Sequence, residues 1–378
     1  MFEMPVYRAP DFSAPALAQA PDASWEPAPA DGVAPEGYHS TSMYPEYFKV
    51  AGAWRLAERS RMDASAVIDM PGDAGCEGLG APRVRVVENR NLRRGERVVL
   101  GRTENGEQGV LVHHDGFEVP GTEPPARLDD KFVFRQGRSR ETAYARDYDR
   151  LFDLLRHERE HGRIVWVLGP ALAFDKDARH AMRALVENGY AHAVMAGNAL
   201  ATHDLEAAMF HTALGQDIYT QHPAKNGHCN HLDVINRVRR SGSIGRFLDD
   251  YGIEDGIVAS CVRGGVPLVL AGSIRDDGPL PEVIGDVCRA QAAMRETVSD
   301  ATTVVCMATM LHTIATGNMT PSYPVGDDGA VRPVFLYTVD VSEFVVNKLL
   351  DRGSLSATTF VTNVQDFIVI VAKGLGLM

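Results

Sequence analysis

The sequence predicts an α/β fold: a doubly wound, parallel, Rossmann-like sheet preceded by a small β-rich domain. Three observations carry that reading. After residue 160, six short apolar runs (RIVWVLG, HAVMAGNA, PLVLAGS, TTVVCMAT, VFLYTVD and ATTFVTNV) alternate with helical stretches, as strands covered on both faces by crossover helices do. Between about 41 and 120 the apolar period shortens to two in YFKVAGAWRLAE, DASAVIDM, RVRVVEN, GERVVLG and QGVLVHH, with glycine-rich turns such as ENGEQG between them. At 378 residues the chain is also too long for one ordinary core.

Taken in order, residues 1–40 hold Pro5, Pro10, Pro15, Pro21, Pro27, Pro29 and Pro35. That density excludes a helix or a central strand and predicts an extended arm, suited to lie over a neighbouring subunit. The β-rich domain is assigned to 41–125, with GTEPPARLDDKFVFRQGRSR as the connection, and the Rossmann-like domain to 126–378. Its first helix reads ETAYARDYDRLFDLLRHEREHG and leads into RIVWVLG.

Composition narrows the function classes. The net charge of -12 and pI near 5.5 argue against nucleic acid, whose phosphates need a basic surface. No run of 18 apolar residues occurs, and MFEMPVYRAPDF has neither a basic nor an apolar leader segment, so neither a membrane span nor a secretory signal is expected and the cytoplasm is the predicted location. Five cysteines, widely spaced and without CxxC, fit reduced thiols. Cys288, in an amphipathic helix, and Cys306, in an apolar strand, read as small core residues, and Cys261 as a buried, inert thiol. A homo-oligomer is the default expectation.

Ligands of open α/β sheets lie beyond the carboxyl ends of the strands. Those ends read GPA (169–171), AGNALATHD (196–204), AGSIRDDGP (271–279), ATMLHTIATGNM (308–319), VD (339–340) and TNV (362–364). Small residues followed by polar ones let phosphates approach helix N-termini, so a dinucleotide is expected. Gly169, Ala171, Gly197, Asn198, Ala199, Gly272, Ser273, Thr309, Asp340, Thr362 and Asn363 are the cofactor candidates by position. The GxGxxG fingerprint is absent. Asp340 suits a ribose diol, and equally the N-cap of SEFVVNKLLDRG.

His228 and His231 fall on one helical face with Cys229 beside them, but no further ligand completes a zinc set. No metal is expected; hydrogen bonding to substrate or a nearby loop is. In the strand containing His113 and His114, one of the two should face solvent. No G-x-S-x-G or P-loop occurs. The triplet Arg275-Asp276-Asp277 has two local readings, a hydrogen-bonded loop whose carboxylates cap the next helix, PEVIGDVCRAQAAMRE, or a ligand site.

MAGNALATHDLE (195–206), RVRRSGSI (237–244), VPLVLAGSIRDDGPLPEVI (266–284), MATMLHTIATGNM (307–319) and DRGS (351–354) resemble the archaeal-type ornithine cyclodeaminases. This family is also described as the conserved region of lysine-oxoglutarate reductase/saccharopine dehydrogenase bifunctional proteins. The resemblance covers roughly residues 26–378, and the order of strand-end loops is also similar to the NAD domain of deoxyhypusine synthase. It implies NAD in the second domain and conversion of L-ornithine to L-proline and ammonia without net redox change. The α-hydride leaves to NAD, the δ-amine attacks the resulting imine, ammonia departs, and the stored hydride reduces the cyclic imine.

Such a substrate carries two ammonium groups and a carboxylate. The resemblance therefore implies Asp277 and Asp276 as ammonium partners and proton carriers and Arg275 as the carboxylate binder, with His312 and Asn318 as further polar groups. Two other readings stay open: the same NAD chemistry on another amino acid or diamine, including carbon–nitrogen bond formation, and a non-catalytic NAD-binding regulatory subunit.

Overall fold

The computed structural model describes residues 2–73, 76, 78, 80–118, 145–276, 278–326, 329–343 and 356–378. The first part comprises β1 (Val6–Tyr7), α1 (Pro15–Ala18), β2 (Trp25–Pro27), β3 (Glu46–Val50), β4 (Ala53–Leu56), β5 (Ser65–Asp69), β6 (Arg83–Val87), β7 (Arg97–Val99), β8 (Val110–Val112) and β9 (Phe117–Glu118). Its strands form antiparallel sheets of order β2-β7-β5-β6 and β4-β3-β8, with β1 paired to β9. Between β3 and β4, Ala51 and Gly52 both take positive φ, 51° and 77°, the conformation whose twist matches two antiparallel strands joined by two residues. Phe48, Ala66, Ile68, Val84, Val99 and Val110 close the core between the sheets.

The proline-rich arm is not extended throughout. A short helix forms at Pro15–Ala18 with proline at its first turn, where a missing N–H breaks no helical bond. The arm also lies over its own chain. β2 joins β7 at the sheet edge, Lys49 Nζ donates to the carbonyls of Ala18 and Ala20 at 2.9 and 2.7 Å, and Trp54 Nε1 donates to Leu17 O at 3.1 Å. Pro27 is tolerated because β2 is an edge strand.

The second part comprises α2 (Ala145–His161), β10 (Ile164–Leu168), α3 (Lys176–Glu187), β11 (Ala193–Gly197), α4 (Asn198–Phe210), β12 (Thr212–Ala213), β13 (Gln216–Asp217), α5 (Asn230–Ser241), α6 (Ile244–Asp250), α7 (Ile257–Gly264), β14 (Leu268–Ala271), α8 (Val287–Val298), β15 (Thr303–Met307), α9 (Met310–Met319), β16 (Phe335–Asp340), β17 (Ser356–Val361) and α10 (Val364–Gly374). All six expected strands form one parallel sheet of order β14-β11-β10-β15-β16-β17. The chain winds outward from β10, returns to its other side at β15, and so places a switch point between β10 and β15. Alternate residues of β10 feed different layers: Ile164, Trp166 and Leu168 face one core, Val165 and Val167 the other. The expected connection at 121–140 and the helix following Glu343 lie outside the described residues.

The two parts meet through Tyr323, whose hydroxyl donates to Ala57 O at 2.9 Å, through Ser322 N–H donating to Ser60 O at 2.8 Å, and through Phe2, edge-on to Phe335. Among the described residues no helix is long and apolar enough to cross a membrane. One cysteine reading is corrected. Cys288 is exposed, because α8 buries Ala290, Met294, Thr297 and Val298 and turns its first residues outward. Cys306 and Cys261 are buried, with burial pushing each thiol up to about 12. His114 is exposed, whereas His113 Nε2 lies 2.8 Å from Arg8 O.

Candidate functional site

Three strand ends converge at the switch point. Gly169 N–H donates to Met307 O at 2.8 Å, and a Cβ on Gly169 would stand 1.9 Å from Ala308 O. Only glycine permits that approach. Ala308 itself holds a left-handed φ of 51°, a strained conformation for a residue with a side chain. A Cβ on Gly197 would lie 3.1 Å from His312 Cε1, so the imidazole reaches from the first turn of α9 to the start of α4. Burial pushes the His312 pKa down, with nearby Asp276 opposing; the ring is neutral near pH 7 and able to accept a proton.

Side-chain capping varies along the chain, and α1, α5 and α7, like α4 and α9 here, start without a side-chain cap bond. Asp175, Asp286 and Asn363 cap α3, α8 and α10 with their side chains. Gly197 and Thr309, at the N-caps of α4 and α9, make no side-chain cap bond. The first-turn N–H groups of both helices are thus left to an anion. Asn318 Oδ1, further along α9, is buried without a hydrogen-bond partner. This arrangement fits a dinucleotide crossing the switch point.

Beside it opens a cleft of about 660 Å³, floored by Pro170, Phe174, Asn198, Ala199 and Thr202 and walled by α5 and the loop after β14. Arg275, Asp276, His203, His228 and His231 bring polar side chains to its lining. Arg275 is exposed. Asp276 Oδ2 accepts the Ser273 N–H at 2.7 Å, and Ser273 Oγ accepts the Arg275 N–H at 3.1 Å. The local hydrogen-bonded loop and the cleft wall are therefore the same object. Asp276 does not cap the next helix; Asp286 does, accepting the Arg289 N–H at 2.7 Å. Asp277 lies outside the described residues.

Several strand-end candidates are engaged with protein. Asn198 is buried and its Oδ1 accepts the Leu280 N–H at 3.0 Å, pinning the far end of the same loop to α4. Ala171 O accepts Gln365 Nε2 at 2.8 Å. Gly272 N–H donates to Ile284 O at 2.9 Å, and Thr362 N–H to Asp340 O at 3.1 Å. Asp340 Oδ1 accepts the Ser342 N–H at 2.9 Å, closing a local turn after the strand. Asn363 Oδ1 accepts the Gln365 N–H at 2.7 Å. Ala199 and Ser273 line the cleft.

A pair in α4 escaped the sequence reading. Glu206 is fully buried, and its Oε2 lies 2.8 Å from His203 Nδ1 while its Oε1 accepts Thr212 Oγ1 at 2.8 Å. A carboxylate on Nδ1 fixes the tautomer with Nε2 as acceptor. The His203 and His231 rings lie 5.9 Å apart. Among the described residues no three metal-ligating side chains converge. Asp204, next in sequence, is structural: buried, it accepts Arg179 Nε and the Val258 N–H, each at 2.8 Å. The visible signal was the run His203-Asp204-Leu205-Glu206 inside an otherwise small and apolar helix, since charged groups there must be paired.

Comparison with known proteins adds to this geometry. Residues 151–371 match the family model described as arginine dihydrolase ArgZ-like, C-terminal, Rossmann fold. An ornithine cyclodeaminase of Methanopyrus kandleri is 38% identical over 350 residues, spanning 93% of this chain and 77% of that protein. Among solved structures, a conserved putative LOR/SDH protein from Methanococcus maripaludis S2 superposes with a TM-score of 0.81 at 33% identity, over 94% of this chain and 98% of the other. The ternary complex of AgrE with ornithine and NAD+ superposes at 0.57 with 30% identity, over 95% of this chain and 46% of AgrE.

Proposed function

The chain belongs to the archaeal-type ornithine cyclodeaminase family, and on that premise we propose that it converts L-ornithine to L-proline and ammonia with NAD as a recycled cofactor. The chain is an NAD-binding enzyme of ornithine-related chemistry. The observation that carries the proposed conversion is the cleft beside the switch point, where a guanidinium, a carboxylate and three imidazoles face one cavity next to uncapped helix N-termini.

Bound NAD would supply a hydride acceptor and donor at one site, so oxidation and reduction cancel over a turnover. The N–H groups opening α4 and α9 would hold its pyrophosphate. Arg275 would take the amino-acid carboxylate through a charge-assisted fork, and Asp276, with Asp277, an ammonium group. His203, held by Glu206, and neutral His312 are the groups suited to carry protons between the two amines. Phe174, Leu232 and Ile235, which line the cleft, would cover the substrate methylenes and limit water.

Product stoichiometry tests this. With catalytic NAD+ and excess L-ornithine, one proline and one ammonia should appear per ornithine consumed, with no net reduced cofactor. Reduced cofactor accumulating in step with substrate would mark a simple dehydrogenase and overturn the proposal.

A further inference from the structure

A second cleft, of about 540 Å³, lies at the opposite rim of the parallel sheet, where α8 and α9 end against the β-rich part. Its lining carries five guanidiniums, Arg59, Arg61, Arg83, Arg85 and Arg295, against two carboxylates, Glu58 and Glu296. In a chain of net charge -12 that concentration is not a by-product of composition. The outer arginines are held from behind: Arg59 by Asp300 at 3.0 Å, Arg83 by Asp69 at 3.1 Å, and Arg85 by Asp69 and Glu96 at 2.5 and 3.1 Å.

The inner ones are short of partners. Arg61, Arg90 and Arg295 share the single carboxylate of Glu88, at 3.6, 3.2 and 2.5 Å. Arg61 is only 8% exposed, and the Nε atoms of Arg61 and Arg295 are buried with no hydrogen-bond partner. Arg61 Nε thus meets Glu88 only beyond hydrogen-bond length and Arg295 Nε meets no acceptor; buried charged donors left short of acceptors are costly, so a fold that keeps them is poised for an acceptor from outside. Burial depresses both guanidinium pKa values, Glu88 opposing only in part, and neighbouring arginines add to the fall. Val86, Ala292, Met319 and Pro321 supply an apolar side to the same cavity.

We propose that this cleft binds a small oxyanion of at least two negative charges, a phosphate ester or a dicarboxylate, with Arg61 and Arg295 as its central contacts. Guanidinium forks match the oxygens of either group, and the volume suits a small metabolite. The ligand would touch β-strand residues and α8 together, so it would also stabilise their docking. The assignment is independent of the NAD cleft.

Calorimetric titration of the whole chain without NAD, using inorganic phosphate in one arm and succinate in the other at ionic strength matched with sodium chloride, tests the site. Saturable binding is expected in at least one arm, and the arm that responds names the ligand class. R295M should weaken it tenfold or more, while R275A, in the other cleft, should leave it unchanged. Should R295M fail to fold, R83Q at the more exposed edge should weaken binding about threefold. Absence of saturable binding in both arms, or equal binding by wild type and the arginine variant, would show that these guanidiniums only hold the two parts together.

Discussion

Helix α4 and the loop from Ser273 to Asp276 border the same cleft but place their polar groups differently. In α4, Asn198, Asp204 and Glu206 are buried and bonded to Leu280, to Arg179 and Val258, and to His203 and Thr212. In the loop, Arg275 is exposed, and the backbone N–H groups of Ser273 and Arg275 form its internal bonds. The two segments thus divide the work: one is framework that orients a single imidazole, the other presents charge. Fully bonded buried groups are expensive to change, and an exposed guanidinium is cheap to change structurally but not functionally.

That contrast can be broken by substitution. The largest effect is expected from Asp204→Ala, which takes from buried Arg179 one of its two carboxylates and leaves it only the exposed Asp255 at 2.8 Å, and should cost about 3 kcal/mol in urea unfolding; near-wild-type stability would remove α4 from the framework. His203→Gln, which keeps a donor for Glu206 but cannot carry a proton, should lower kcat on the order of 100-fold with the unfolding midpoint little changed. Arg275→Ala should raise KM for ornithine roughly tenfold or more, as expected for lost charge-assisted hydrogen bonds, again without loss of stability. A matching fall in stability would make it framework after all.

The smallest effect concerns pH. His312 has its folded pKa below the unfolded value of 6.5, so the unfolded chain binds the proton more readily. Stability should fall as pH drops from about 6.5 toward the depressed folded value, and be insensitive to this group above 6.5. His312→Gln should flatten that part of a melting-temperature profile between pH 7 and 5; an unaltered profile would assign the slope elsewhere, for instance to His192, which burial also pushes down.

The strands were legible because apolar runs of five or six residues between helices have few other uses, and all six strand ends fall on one edge of the sheet. The arm's path over its own chain was not, because it depends on long-range bonds such as Lys49 to Ala20. Among the strand-end candidates, Asn198, Asp340 and Asn363 satisfy nearby N–H groups, a local use that a linear pattern cannot tell from ligand contact. His203 and Glu206 were hidden because α4 is buried on nearly every side, leaving no polar face for a helical period to reveal.

The most direct test of the account uses L-ornithine deuterated at the α-carbon, with NAD+ and the purified chain, followed by mass spectrometry of the product. Proline that retains the deuterium is predicted, since the hydride removed must be the one returned while the cofactor stays bound. Deuterium found in released cofactor, or ornithine recovered unchanged with NAD bound, would contradict cyclodeamination of ornithine by this site.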